Sequence, residues 1–190
     1  NVMTSGEAAM QAINKNRFGK TFFHLGPPRD TSVFEKVKDN KTDLEKCDYI
    51  LCTGLFDSEM DKLNFYEKLL ENSTDKKMIC TNPDLIVDRG NITEYCAGSV
   101  AKIFEDLGGK VEYFGKPYPP VYQQATDIKD KKILCIGDNL NTDIKGANIQ
   151  NFDSMLISSG IHKKEIDKNI EKVQLKYNVK INYYQSLLKW

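Results

Sequence analysis

Asp138 and Asp143 lie in the stretch Lys131–Gly146, KKILCIGDNLNTDIKG, and their setting decides what they can do. Ile133, Leu134, Cys135 and Ile136 form an unbroken apolar run, the pattern of a strand buried on both faces of a parallel sheet. Gly137-Asp138 ends that run, and Thr142-Asp143 offers helix-start chemistry ahead of Ile144 and Ala147. The two carboxylates thus fall where a parallel strand stops and a helix begins, the edge at which open α/β sheets bind ligands. On residue types alone two readings stand. Either Asp143 caps the helix and Asp138 is a turn residue, or two close, unneutralised carboxylates hold a divalent cation. Hard oxygen ligands of this kind suit Mg²⁺. The stretch that decides between them lies upstream, at Gly115-Lys116-Pro117.

The elements around these residues alternate. Thr4-Ser5-Gly6-Glu7 starts a helix with Ala8, Ala9, Ala12 and Ile13 on one face. Lys20–Leu25 reads as a strand broken by Gly26-Pro27-Pro28. His24, inside that apolar run, reads as a partly buried structural residue rather than a ligand or proton carrier. Asp48–Thr53 is a second buried-type strand, followed by a helix over Asp61–Asn72 whose face carries Leu63, Tyr66, Leu69 and Leu70. Lys77–Thr81 is a third strand, and Pro83 places Asn82-Pro83-Asp84 in the loop at its end. A helix over Ala97–Leu107 stops at Gly108-Gly109, and Val111–Phe114 makes a short strand. Prolines forbid regular structure through Gly115–Pro120, and Pro120 opens a helix through Tyr122, Ala125 and Ile128. After the organising strand come a strand near Ser154–Ser158, a long helix marked by Ile166, Ile170, Val173 and Tyr177, and a last helix over Tyr183–Trp190. In that last segment Tyr184, Leu187, Leu188 and Trp190 form an apolar cluster expected to pack on the core rather than add to an interface. The alternation makes the class α/β with mostly parallel sheets.

Composition narrows the function classes. The 190 residues suit one medium domain or two small ones. Lys+Arg and Asp+Glu both number 27, so the zero formal charge carries no footprint for nucleic acid. Five cysteines, odd in number and without CxxC spacing, read as reduced core residues and not as disulfides or a zinc site. Asn72-Ser73-Thr74 and Asn91-Ile92-Thr93 match the glycosylation pattern, but no signal peptide accompanies them. No apolar run approaches the ~20 residues that cross a bilayer. The expectation is a soluble, cytoplasmic protein without membrane or nucleic-acid partners.

Taken together, TSGEAA at the start, CTNPD at 80–84, GKPYPP at 115–120 and GDNLNTDIKGA at 137–147 resemble the haloacid dehalogenase-like superfamily of phosphohydrolases, in its class II-A capped, nitrophenylphosphatase-like branch. GDxxxxD alone is a weak signal; preceded at about twenty residues by GKP and a helix, it is specific. The resemblance implies a partial Rossmann-like three-layer α/β core, 1–19 and 114–190, with an inserted α/β cap domain over 20–113. It makes Lys116 the basic residue that touches the transferring phosphoryl group and the nucleophilic carboxylate. Asp138 becomes a direct Mg²⁺ ligand. Asp143 holds the metal's water shell or orients Asp138 and Lys116. Asn139 is a polar neighbour or a plain turn residue. Asn82 and Asp84 sit on a cap loop that helps choose a small phosphorylated substrate, or else form an Asx-type turn around Pro83. His24, Arg29 and Asp57 lie near other cap strand ends and carry no assigned role.

One part of the pattern is missing. The superfamily's nucleophile is an aspartate in a DxDG motif near the N-terminus, followed by a Thr/Ser motif on the next strand, and neither occurs in these 190 residues. The chain also opens at Asn1 and runs at once into Val2-Met3-Thr4-Ser5-Gly6. The expectation is an N-terminally shortened version, with the attacking carboxylate, the acid/base and the phosphate-binding hydroxyl on a segment outside the chain. The strand Ile133–Ile136 then has an unpaired edge beside apolar surface, which invites a homo-oligomer or a complementing N-terminal segment. Three functions follow for testing: a Mg²⁺-dependent phosphatase lineage, an inactive remnant that serves as a binding or interaction module, and an unrelated sugar- or nucleotide-binding α/β module.

Overall fold

The computed structural model describes residues 2–89, 92–125 and 132–189. Asn1, Asn91, Ile128, Lys131 and Trp190, which enter the expectations above, lie outside that range. The chain divides into two compact units, Asn1–Gly115 and Lys116–Trp190.

The first unit is built on a four-stranded parallel sheet in the order β1-β2-β3-β6: β1 (Phe22–Leu25), β2 (Tyr49–Cys52), β3 (Lys77–Cys80) and β6 (Lys110–Tyr113). Every residue of β2 is buried, as its apolar run predicts for a strand covered on both faces. Helix α1 (Ser5–Asn14) begins where the sequence marks it, with the Thr4 hydroxyl accepting the Glu7 amide at 3.0 Å. Helices α2 (Leu63–Leu70) and α3 (Ala97–Asp106) pack on each other, and Tyr66, Leu70, Val100, Ala101 and Phe104 are buried. The buried Tyr66 hydroxyl accepts the Phe56 amide at 2.7 Å, which ties α2 to the loop after β2. An antiparallel hairpin, β4 (Ile86–Arg89) with β5 (Ile92–Tyr95), occupies the segment between β3 and α3, to which the sequence reading assigned no element beyond the Asn82–Asp84 loop.

The second unit holds α4 (Pro119–Ala125) and a three-stranded parallel sheet in the order β7-β8-β9: β7 (Leu134–Gly137), β8 (Asp153–Ile157) and β9 (Tyr183–Gln185). Helices α5 (Lys145–Ile149), α6 (Lys163–Ile166) and α7 (Ile170–Tyr177) connect them. Leu140, Ile144, Leu156, Ile166 and Val173 form the core of this unit.

Three expectations are corrected here. The strand at Ile133–Ile136 is not buried on both faces: Leu134 and Ile136 are 43% and 36% exposed. In a parallel ladder registered neighbours share a face, so Ile136, Met155 and Tyr183 lie together on one side, while Leu156 lies on the other, in the core. Among the described residues only the Leu156 side is covered. The long helix over Ile166–Tyr177 is two short ones, because the Asn169 side chain accepts the Lys172 amide at 2.9 Å and starts α7 afresh. Tyr183–Gln185 is a strand and not a helix: it pairs with β8, and Tyr184, Leu187 and Leu188 are exposed instead of packed on the core.

Candidate active site

Chain order delivers the site at one end of β7. Gly137 closes the strand, and Asn139 caps a wide helical turn over Leu140–Ile144 that runs on into α5. The Asn139 side chain accepts the Asn141 amide at 2.9 Å, and its carbonyl accepts the Asp143 amide at 2.9 Å. The helix thus begins at Leu140, two residues before Thr142, with Asn139 as its cap. Widened helical turns of this kind concentrate at functional sites.

The turn folds Asp143 back over the strand end. One carboxylate oxygen, Oδ2, accepts the backbone amides of Asp138 at 3.2 Å and Asn139 at 3.1 Å. The other, Oδ1, receives the Lys116 ammonium at 2.5 Å. Asp143 is buried, whereas the Lys116 side chain is 54% exposed. A Cβ on Gly137 would stand 2.2 Å from the Asp143 carboxyl carbon, so only glycine lets this carboxylate close over the strand.

Asp138 is placed from the other side. Its Oδ2 accepts the Ile161 amide at 3.3 Å, from the loop that follows β8. A Cβ on Gly160 would lie 2.2 Å from the Asp138 Cβ, so Gly160 makes room for this carboxylate. Tyr122 of α4 completes the surroundings. Its hydroxyl is buried over Gly146, and burial first, then the nearby Cys135 and Asp143, hold its ionisation well above the usual tyrosine value. Burial likewise raises the Cys135 thiol, with Asp143 adding to the effect.

The structure therefore brings Lys116, Asp138, Asn139 and Asp143 together, and it separates their roles. Asp143 is saturated by one cation and two amides, which suits it to orienting Lys116 and the Asp138 loop. The Asp138 Oδ1 atom has no hydrogen bond among the described residues. Mg²⁺ usually binds through one or two carboxylates and keeps several waters, so Asp138 fits as a direct ligand and Asp143 does not. Among the described residues no group of three or more His, Cys, Asp or Glu side chains has the arrangement of a closed metal site. Asn139 acts as the turn residue. Asn82 and Asp84 belong to the first unit, where the Asp84 amide donates to Asn82 Oδ1 at 3.2 Å in an Asx turn around Pro83. Gly160 and Ile161 were not foreseen; a Ser-Ser-Gly after a strand signals a turn, but nothing local marks it as the neighbour of Asp138.

Comparison with known proteins agrees with this geometry. Residues 113–180, which contain all four site residues of the second unit, match the HAD-hydrolase-like family model. A dihydroxyacetone phosphatase of Corynebacterium glutamicum is 30% identical over 89 residues, 45% of this chain and 32% of that protein. A haloacid dehalogenase-like hydrolase of Brucella suis superposes with a TM-score of 0.73 at 32% identity, over 85% of this chain and 63% of that one. A 4-nitrophenylphosphatase of Thermotoga maritima gives 0.70 at 26% identity, over 97% and 69%. A p-nitrophenyl phosphatase of Archaeoglobus fulgidus shares the fold at 18% identity, with a TM-score of 0.72. The chain spans about a third of the curated relative's length and 63% of the Brucella structure's. The resemblance read in the sequence is borne out: residues 113–180 match the haloacid dehalogenase-like model, and the chain has the α/β fold of the nitrophenylphosphatase-like structures.

Proposed function

We propose that this chain supplies the cap and the C-terminal part of the core of a Mg²⁺-dependent phosphohydrolase acting on a small phosphorylated metabolite. The observation that carries this reading is the Lys116 ammonium held by Asp143 beside an Asp138 carboxylate whose Oδ1 has no hydrogen bond among the described residues. Phosphoryl transfer asks the protein mainly to position groups and neutralise charge. Lys116 keeps N–H donors beyond the one aimed at Asp143, and these can take non-bridging phosphate oxygens. Asp138 would hold the metal, whose charge offsets that of the phosphoryl group when bound. Asp143 keeps Lys116 and the amides of Asp138 and Asn139 in register.

The attacking carboxylate comes from outside these 190 residues, since no DxDG occurs in them. It displaces the ester oxygen from phosphorus while an acid on the same outside segment protonates the leaving alcohol, and water then cleaves the acyl phosphate, restoring the carboxylate and releasing inorganic phosphate. In this reading 20–113 is the cap, 1–19 with 114–190 is core, and Asn82 and Asp84 contribute to substrate choice. No described helix is long and apolar enough to cross a membrane, which is compatible with a cytoplasmic enzyme. The resemblance of 89 residues to a dihydroxyacetone phosphatase favours a small phosphate ester as substrate.

A second reading, an inactive module that binds phosphate or a partner, draws on the missing DxDG and the open edge of β7. Hydrolysis of p-nitrophenyl phosphate with Mg²⁺ separates the two. The chain alone is expected to be inactive, and a DxDG-bearing segment is expected to confer turnover that Lys116→Ala abolishes. Turnover by the bare chain, lost in Lys116→Ala, overturns the need for an outside carboxylate. No turnover by the folded, supplemented protein overturns the phosphatase reading.

A further inference from the structure

A cavity of about 180 Å³ opens in the first unit at the carboxyl ends of its parallel strands, the edge where α/β sheets take ligands. Three loops and the hairpin line it: Arg29 and Asp30 follow β1, Thr53 and Asp57 follow β2, Asn82 follows β3, and Tyr95 ends β5. Its floor is fixed from below, because Thr53 Oγ1 is hydrogen-bonded to the buried His24 Nε2 at 2.9 Å. The volume is well under that of a drug-sized pocket, so the occupant is small.

The charges in it are of both signs. Arg29 and Asp57 pair at 2.6 Å from two different loops, with side chains 61% and 51% exposed. Exposed pairs of this kind contribute little to stability, so either partner exchanges readily. Asp30 adds a carboxylate with no hydrogen bond of its own among the described residues, and Asn82 uses only its Oδ1, towards the Asp84 amide. The Arg29 guanidinium feels Asp57 first, then Asp30 and Glu94, and all three strengthen its hold on its proton. An anion that takes Arg29 strands Asp57, and a cation that takes Asp57 strands Arg29. A ligand carrying both signs gives each a new partner.

We propose that this cavity binds a small zwitterion of amino-acid size, its carboxylate taken by Arg29 and its ammonium by Asp57 and Asp30. Asn82, Thr53 and Tyr95 are then positioned to read the remaining polar groups. All the residues named here belong to the first unit.

Titration of the whole chain with L-serine, followed by amide resonances, tests it, with ethanolamine and glycolate as single-charge controls. L-serine is expected to give saturable shifts at Arg29, Thr53, Asp57 and Asn82, with each control at least about tenfold weaker. Arg29→Gln and Asp57→Asn are each expected to weaken binding at least about tenfold, with the melting temperature held because both residues are exposed. Absence of saturable shifts, equal binding of a control, or full binding by either variant overturns the proposal.

Discussion

Lys116 Nζ lies 2.5 Å from Asp143 Oδ1, across 27 residues of sequence, and the same carboxylate gathers the amides of Asp138 and Asn139 with its other oxygen. One buried acid thereby fixes the loop before α4, the end of β7 and the turn into α5. A charged acceptor with three donors is costly to remove, because the donors stay behind without partners. Asp143→Ala is expected to destabilise the second unit by about 1.5–3 kcal/mol. Urea unfolding followed by a second-unit probe checks this, and a loss under about 0.5 kcal/mol, typical of a neutral surface change, contradicts it.

Gly160→Ala tests the placement of Asp138 without touching the Lys116–Asp143 pair. Its new Cβ meets the Asp138 Cβ at 2.2 Å, so Asp138 must leave its position against the Ile161 amide. The variant is expected to lose Mg²⁺ response at Asp138 by about tenfold or more while the Lys116 ammonium still senses Asp143. Amide and lysine side-chain resonances read both. An unchanged Mg²⁺ response in Gly160→Ala removes Asp138 from the metal's ligands.

Much of this was legible in the sequence, and the reasons for the rest are physical. The apolar run ending at Gly137-Asp138 marks β7 and its loop because strand burial and turn chemistry are both local. Asp138 and Asp143 follow from their position at that loop, and Lys116 from the GKP that resembles the superfamily. Gly160 and Ile161 were invisible, since their proximity to Asp138 arises only when β8 pairs with β7. Arg29 and Asp57 were placed near cap strand ends, but their pairing was hidden, because the loops after β1 and β2 meet only once those two strands pair. At Tyr183–Leu188 the helical spacing of Tyr184, Leu187 and Leu188 lost to pairing with β8, a tertiary contact that overrides local pattern. The hairpin β4–β5 was missed because its outward residues, among them Ile86 and Ile92, are exposed and give no clean alternation.

His24 gives the first unit a pH dependence of fixed sign. Burial first, and then the charge of Lys41, lower its imidazole from 6.5 to about 4. The unfolded chain takes up a proton near pH 6.5 that the folded chain refuses until about 4, so stability falls as pH drops through this window and is level above it. The full effect is about 2–3 kcal/mol near pH 4. His24→Gln keeps a partner for Thr53 and cannot titrate. The difference between wild type and His24→Gln in urea unfolding is therefore expected to change between pH 7 and pH 4, and a constant difference contradicts the buried, neutral imidazole.

The open side of β7 carries a further expectation. Leu134 and Ile136 are exposed on a strand whose one partner among the described residues is β8. Unpaired edges beside apolar surface promote association. Sedimentation at increasing concentration is expected to show self-association of the wild type that Leu134→Lys with Ile136→Lys reverses. Equal behaviour of the two proteins assigns no role to this surface.

The central claim, that Lys116, Asp138 and Asp143 form one cation-and-phosphate site, is tested most directly on the chain as it stands. Mg²⁺ and inorganic phosphate are titrated together while the amides of Asp138, Asn139, Asp143 and Ile161 and the Lys116 ammonium are followed. The account expects these signals to shift in concert, with Asp138→Asn losing the Mg²⁺ response and Lys116→Ala losing the phosphate response. Shifts confined to other residues, or responses that survive both substitutions, contradict it.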